Sequence, residues 1–420
     1  MNQKFVLKYI TSKTFAKKSK NGLGEIEHFL DFAMKEGIYP DFHFIDEGAT
    51  EPEVVIEGKK MLMFASNNYL GLAKNRNVIQ AAEEALKKHG LGPCGSRMLA
   101  GNLKMHRDLE DMVAKLVEKE DVIIYATGYM ANSGGIPALV DPMMASAPFK
   151  EGSSAIFSDK LNHATIIDGS RLSHAEKIIF EHKNCSDLED KLKKSKHKNK
   201  MIVTDGVFSM DGDVAPLPQI AEIAKKYGAF VMVDDAHATG VLGSKGGGTA
   251  EHFNITKDID LIMGTFNKGL GGMGGFIARP KKVVDYLRVA SRSYIFSLAL
   301  PAVITAGVMA AIKEANNHPE YRKRVLANGK YLSEGLKNLG FEVFGENTPI
   351  NPVFIGEEVK GIDFARKLAE DGIFAPCVRW PAVEEGKARI RLVVTASHEK
   401  KHLDKLISSF NKIGKELRII

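Results

Sequence analysis

Between residues 61 and 300, six short and nearly continuous apolar runs (122–125, 155–157, 177–180, 201–203, 230–233 and 261–263) alternate with helical patterns. Few architectures accept that rhythm. A segment apolar on both faces has to be covered on both faces, and strands joined through helices pair in parallel. The expectation is an α/β fold built from βαβ units, with a mainly parallel central sheet. Side chains that do chemistry in such a sheet gather at the carboxyl ends of its strands.

Two of those ends carry unusual residues. The run 261–263 stops at Gly264, Thr265, Phe266 and Asn267, then places Lys268 among Gly269, Gly271, Gly272, Gly274 and Gly275. A buried ammonium loses its hydration and needs a partner, so this is a costly residue for packing alone. It suits a nucleophile that forms an imine with a carbonyl once desolvation lowers its pKa. The glycines let the backbone approach a flat ring closely. The alternative for this segment alone is a strand end followed by a Gly-rich surface turn.

The run 230–233 ends in Asp234, Asp235, Ala236 and His237. Asp234 and His237 leave the strand three residues apart and can face one ligand. Pyridoxal phosphate needs a carboxylate against its pyridine nitrogen, which keeps the ring an electron sink, and an imidazole can bond the ring edge. A metal pair is the competing reading, but no further His/Cys cluster at metal-ligand spacing accompanies it. His163, beside a helix start at Ala164, can stack on a conjugated ring or be a structural histidine. Tyr125 to Asn132 reads as strand, glycine turn and helix, an arrangement that aims backbone N–H groups at an anion such as a phosphate.

In chain order the segments SNNYLGL (66–72), TGYMAN (127–132), NHATIIDGSR (162–171), TDGVFSMDGD (204–213), VDDAHATGVLG (233–243), GTFNKGLGG (264–272) and ARIRLVVTASH (388–398) resemble one family. The family is the pyridoxal-phosphate-dependent α-oxoamine synthases, within the fold-type I, aspartate-aminotransferase-like enzymes. The resemblance extends over about residues 40–400. It implies pyridoxal 5'-phosphate as cofactor and a reaction joining an amino acid to an acyl thioester, with loss of carbon dioxide or cleavage to glycine.

By position, the resemblance makes Lys268 the imine lysine and Asp234 the partner of the pyridine nitrogen. His237 meets the ring hydroxyl, and His163 stacks on the ring. Gly128, Tyr129 and Thr265 hold the phosphate, with Ser297 reaching in from the second subunit of a homodimer with shared sites. Ser209 touches the cofactor. Asn67 and Arg391 hold the substrate carboxylate, for which the planar fork of arginine is suited. Asn267 is a departure, since serine or glycine is frequent there, and an amide replaces any hydroxyl contact to the phosphate.

Within the family the catalytic set does not discriminate between members. The segments 36–42, 92–101 and 247–253 are most like bacterial serine palmitoyltransferase. They imply condensation of L-serine with palmitoyl-CoA to 3-ketodihydrosphingosine, the entry step of sphingolipid synthesis. Arg379, Trp380 and Pro381 depart from the proline-rich loop frequent in that enzyme. The segment 386–391 equally resembles 2-amino-3-ketobutyrate CoA ligase and 8-amino-7-oxononanoate synthase, the alternatives. A non-catalytic partner subunit is disfavoured because Lys268, Asp234, His237 and His163 are all present. A G-x-G-x-x-G match at 269–274 lacks the acid about 20 residues on that a dinucleotide site requires.

Organisation and composition complete the expectation. The chain of 420 residues is long for one core. An N-terminal arm over 1–60 with a helix over 25–36 precedes the large cofactor domain, 61–300. A smaller C-terminal α+β domain, 301–420, follows, with strands at 341–344 and 390–394 and a helix at 402–417. The lysine-rich stretch 187–200 reads as a solvated helix and loop.

A net charge of +6 without a basic, aromatic-laced stripe argues against nucleic-acid partners. Cys94, Cys185 and Cys377 have no paired spacing, which suits a reducing cytoplasm. No run reaches the roughly 18 apolar residues of a membrane span, and 302–312 reads as a core helix. The first 24 residues hold Lys4, Lys8, Lys13, Lys17, Lys18 and Lys20, no acid, and Phe5, Tyr9 and Phe15. Such an arm either lies peripherally on an anionic inner membrane face or is simply solvated.

Overall fold

The computed structural model describes residues 22–35, 42–48, 50–141 and 153–420. Three short strands come first: β1 (Ile45–Glu47), β2 (Glu53–Ile56) and β3 (Lys59–Met63). The central sheet contains β4 (Asp121–Tyr125), β5 (Ser154–Asp159), β6 (Glu176–Phe180), β7 (Asn199–Asp205), β8 (Phe230–Asp234), β9 (Leu261–Thr265) and β10 (Gly275–Arg279). Their order is β4-β10-β9-β8-β7-β5-β6. From β9 to β6 all neighbours are parallel, while β10 is antiparallel to both β4 and β9. The sheet is therefore mainly parallel within an α/β fold.

β4, β5 and β9 are buried along their whole length, as strands covered on both faces must be. Alternate residues feed opposite layers. Val122 and Ile124 join one core, and Ile123 and Tyr125 join the other. Each such side chain contributes about 1.5–3 kcal/mol on burial, so both layers hold the sheet flat against its helices. β10 has no counterpart among the six apolar runs because it begins within the glycine stretch. Gly275 is required there: a Cβ on it would lie 2.6 Å from Gly128 Cα.

The C-terminal strands are β11 (Ile350–Gly356), β12 (Ile373–Phe374), β13 (Cys377–Val378) and β14 (Ala388–Val393). A three-stranded sheet runs β11-β14-β13, and β12 instead extends the N-terminal sheet by pairing in parallel with β3. The helices Glu358–Glu370 and Lys400–Glu416 place Phe364 and Phe410 around Phe341. Residues 341–344 form one bridge, Val343 to Val353, in place of the expected strand. Phe344 N–H donates to Pro352 O at 2.9 Å, but Pro352 has no N–H to return the bond.

The other boundary differences are small. The first helix spans Gly22–Lys35, and residues 199–200 of the lysine-rich stretch enter β7. The helix Ala302–Asn317 packs against the helices Arg76–His89 and Lys104–Leu116. No helix among the described residues is long and apolar enough to cross a membrane. The basic arm, and with it the membrane reading, lies in residues 1–21, outside the described residues, as does most of the segment 36–42.

Candidate active site

β4, β9, β8 and β7 all end at one edge of the sheet, and residues at or just beyond their ends surround a cavity of about 450 Å³. Its wall contains Gly128, Tyr129, His163, Ser209, Asp234, His237, Thr265, Asn267 and Lys268. Eight of the sequence-derived site residues thus meet in one place, drawn from five segments that are distant in the chain.

β8 delivers Asp234 almost fully buried. One carboxylate oxygen accepts Asn132 Nδ2 at 2.7 Å, and the other accepts the Ala236 N–H at 3.0 Å. Both contacts are donors, so each oxygen of Asp234 serves as an acceptor at this position. On the adjacent strand Asp205 accepts the His163 N–H at 2.8 Å. Burial first, and then the proximity of Asp234, push the Asp205 carboxyl well above the usual carboxylate range.

Lys268 follows β9 and is half-buried. Desolvation lowers its pKa, opposed by Asp234 and Asp205 and reinforced by the positive Arg391. An amine less basic than an exposed lysine is a better nucleophile at neutral pH. Burial, and then the positive charges of Lys268 and Arg391, hold His237 well below its ordinary value, so the ring is neutral. Its Nδ1 lies 2.6 Å from the hydroxyl of buried Tyr69, whose pKa burial raises to about 12. Tyr69 also lies 3.3 Å from Asn67 Oδ1, the longer of the two contacts. A neutral imidazole has one donor and one acceptor, so a Tyr69 proton directed at Nδ1 assigns the ring N–H to Nε2.

His163 caps the helix Ala164–Arg171, its Nδ1 accepting the Thr165 N–H at 3.2 Å. Burial lowers its pKa, leaving a neutral ring on the cavity wall. The helix Gly128–Val140 begins opposite, with Thr127 Oγ1 accepting the Met130 N–H at 3.1 Å. A helix start gives the Gly128 and Tyr129 N–H groups no carbonyl partner within the helix, and its dipole favours an anion. A Cβ on Gly128 would sit 2.3 Å from Thr265 Cγ2, so only glycine lets the Thr265 methyl approach this turn.

Three predicted residues stand outside the cavity wall. Arg391 Nε donates to Ser209 O at 2.6 Å, and Arg391 Nη2 donates to Asn67 Oδ1 at 3.4 Å. These two residues adjoin the cavity behind Ser209. Ser297 contacts Met130 Sδ at 3.8 Å, and its neighbours Phe296 and Leu298 are exposed. Tyr69, Asn132 and Asp205 are the participants that sequence reasoning missed. Each lies within a quoted motif, SNNYLGL, TGYMAN or TDGVFSMDGD, but no spacing rule distinguishes it from its neighbours. Among the described residues no cluster of His, Cys, Asp and Glu is arranged to hold a metal.

The donor set has the shape of one molecule: uncapped amides and a hydroxyl for a phosphate, a carboxylate for a ring N–H, and an amine of lowered basicity for an aldehyde. The family model for aminotransferase class I and II matches residues 59–410. The chain belongs to the pyridoxal-phosphate-dependent α-oxoamine synthases. Its cofactor is pyridoxal 5'-phosphate, which the cavity fits by the criteria just given. The 8-amino-7-oxononanoate synthase of Thermoanaerobacter pseudethanolicus is 42% identical over 404 residues, 96% of this chain and 100% of that protein. The enzyme of the same name from Petrotoga mobilis is 44% identical over 374 residues, 88% of this chain and 93% of its own. A solved serine palmitoyltransferase from S. paucimobilis superposes with a TM-score of 0.89, covering 96% of this chain and all of that one, at 30% identity.

These comparisons correct the expectation of a serine palmitoyltransferase acting in sphingolipid synthesis. Backbone similarity to that enzyme is high, but sequence identity is 30% against 42% and 44% for the oxononanoate synthases. The backbone follows from the sheet and cofactor site that all family members share. The segments 92–101 and 247–253 are rich in glycine, and such segments record turn geometry more than substrate.

Proposed function

We propose that the chain catalyses the 8-amino-7-oxononanoate synthase reaction. The product's name fixes its substrates by elementary retrosynthesis. A methyl carbon and an amine flank the new ketone on one side, which is the skeleton of L-alanine after loss of its carboxylate. The remaining seven carbons are an acyl group with a terminal carboxylate, delivered as a thioester. The observation that carries this reading is the 42% identity across the full length of the Thermoanaerobacter relative.

The cofactor, when bound, supplies an electron sink for negative charge at the substrate Cα. The chain's residues do the rest. Lys268 Nζ would hold the cofactor through its aldehyde carbon and, when free, would move the proton at the substrate Cα. Asp234 accepts the ring N–H, and His237 Nε2–H donates to the ring oxygen. His163, on the cavity wall, would cover the ring and keep water from it. Gly128, Tyr129 and Thr265 bind the phosphate, and Ser209 lines the opposite wall. Arg391, with Asn67, would bind and orient the α-carboxylate.

Specificity is tested by steady-state kinetics with alanine, serine and glycine, each against seven-carbon ω-carboxyacyl and palmitoyl thioesters. Alanine with the ω-carboxyacyl thioester is expected to give the highest kcat/KM. A pair containing serine and palmitoyl thioester that surpassed it would overturn the proposal.

Ser297, outside its own chain's cavity, is proposed to complete the phosphate site of a partner in a symmetric homodimer. Mixing inactive Lys268→Ala and Ser297→Asp chains should then restore turnover, because one of the two sites in each hybrid is built from intact parts. A mixture as inactive as its components would refute the shared site.

A further inference from the structure

The cavity wall includes His163, which follows the turn after β5, and Ser209, on the loop after β7. Residues beyond those already assigned help to hold both walls. The Ser209 loop is closed by its own backbone bonds, Phe208 N–H to Asp213 O and Gly212 N–H to Phe208 O, at 3.0 and 2.8 Å. From the C-terminal side it is gripped by Arg391 on Ser209 O, by Arg389 on Asp211 and by Thr348 on Gly212 O. On the other side His182 and Lys183 hold it. His182 Nε2 lies 3.0 Å from Asp213 Oδ2, and its ring edge meets the face of Phe208 with centroids 4.5 Å apart. His182 Nδ1 lies 2.9 Å from Asp159 Oδ1. Asp159 ends β5 and also accepts the Leu161 N–H at 2.9 Å, in the turn that presents His163.

A carboxylate only accepts, so an imidazole between two carboxylates makes both bonds only when each nitrogen carries a proton. From this geometry we infer that His182, as a cation, is a positioning residue that ties the His163 wall to the Ser209 wall and so sets the width of the cavity. Lys183 shares Asp213 Oδ2 at 3.1 Å and reaches Glu346 at 2.8 Å, and Lys160 pairs with Glu181 on the flanking segments. Asp213 Oδ1 is buried without a partner, so the loop's anchorage runs through the oxygen that His182 and Lys183 hold.

The two carboxylates overcome the desolvation of His182 and raise its pKa to about 9. The unfolded value near 6.5 lies below that. The clamp therefore contributes fully at pH below 6.5 and is lost as pH rises through about 9. The inference rests on Ser209 and His163 flanking the catalytic cavity. It is tested first without substrate, so its failure is separable from failure of the acyl-transfer reading.

Backbone hydrogen exchange across residues 206–214 of the holoenzyme, corrected for intrinsic rates, should rise in the wild type above pH 9. In His182→Gln it should already be raised at neutral pH. A misplaced wall costs roughly 10- to 100-fold in turnover, so His182→Gln should lose that much kcat and also the alkaline inflection near pH 9. Asp213→Asn is the complementary variant, because its amide can donate to a neutral imidazole or accept from a charged one. It should flatten the exchange profile between pH 7 and 10 while folding normally. Unchanged exchange in both variants, or an alkaline inflection that persists in His182→Gln, would overturn the assignment.

Discussion

Replacing Lys268 by alanine is expected to abolish turnover while leaving the fold intact. The side chain is half-buried, and its amine faces the cavity rather than a core partner, so removing it unmakes no packing. What is lost is the group that holds the aldehyde carbon and moves the Cα proton. A residue with both roles is worth a thousandfold or more, on the order of 4 kcal/mol at about 1.36 kcal/mol per tenfold. The purified variant should also lack the near-violet absorbance of the lysine-bound cofactor. Far-ultraviolet dichroism and the melting temperature control for folding. Removing the positive Lys268 should let the His237 pKa rise, since Lys268 is the largest of the charges that depress it. Substantial turnover in the alanine variant without added amine would remove Lys268 from the mechanism.

Asp234→Asn should retain cofactor and lose roughly 10²- to 10³-fold in kcat, the range for removing one preorganised electrostatic contact at a developing charge. The substitution keeps shape but changes chemistry twice. An amide does not hold a pyridine nitrogen protonated. It also confronts two donors, the Asn132 amide and the Ala236 N–H, each of which now contacts a carboxylate oxygen. Whichever way the new side chain turns, its NH2 faces one of them and a hydrogen bond becomes a clash of donors. The decisive measurement is the rate of α-proton exchange from bound alanine in deuterated water, which isolates the Cα step from acyl transfer. Exchange at the wild-type rate would show that Asp234 does not support the electron sink.

Much of this was legible in the chain before any coordinates. The six apolar runs became β4 to β9, five of them strands whose central residues are buried and one, β6, a mostly exposed edge strand. Lys268, Asp234 and His237 were legible because charge at a core strand's end is expensive and so informative. Where sequence reasoning failed, the cause was physical. β10 begins in a glycine stretch whose small residues serve the close approach to Gly128 and carry no apolar signature. Residues 341–344 have strand composition, but the absent N–H of Pro352 on the neighbouring strand leaves them one bridge. The substrate reading rested on loop segments, and identity spread over the whole chain outweighed them.

The sequence by itself determined the parallel sheet, the chemistry at its strand ends and the family, because each is written in local residue order. Only the tertiary structure decided which of those residues meet. The strand order β4-β10-β9-β8-β7-β5-β6 sets Asp205 beside Asp234, and the fold brings Tyr69 to His237 across 168 residues and Arg391 to Ser209 across 182. Hydrogen bonds between groups so far apart depend on the packing of everything between them. No spacing rule carries that information, so Tyr69, Asn132 and the His182 clamp became visible only once the sheet had closed around the cavity.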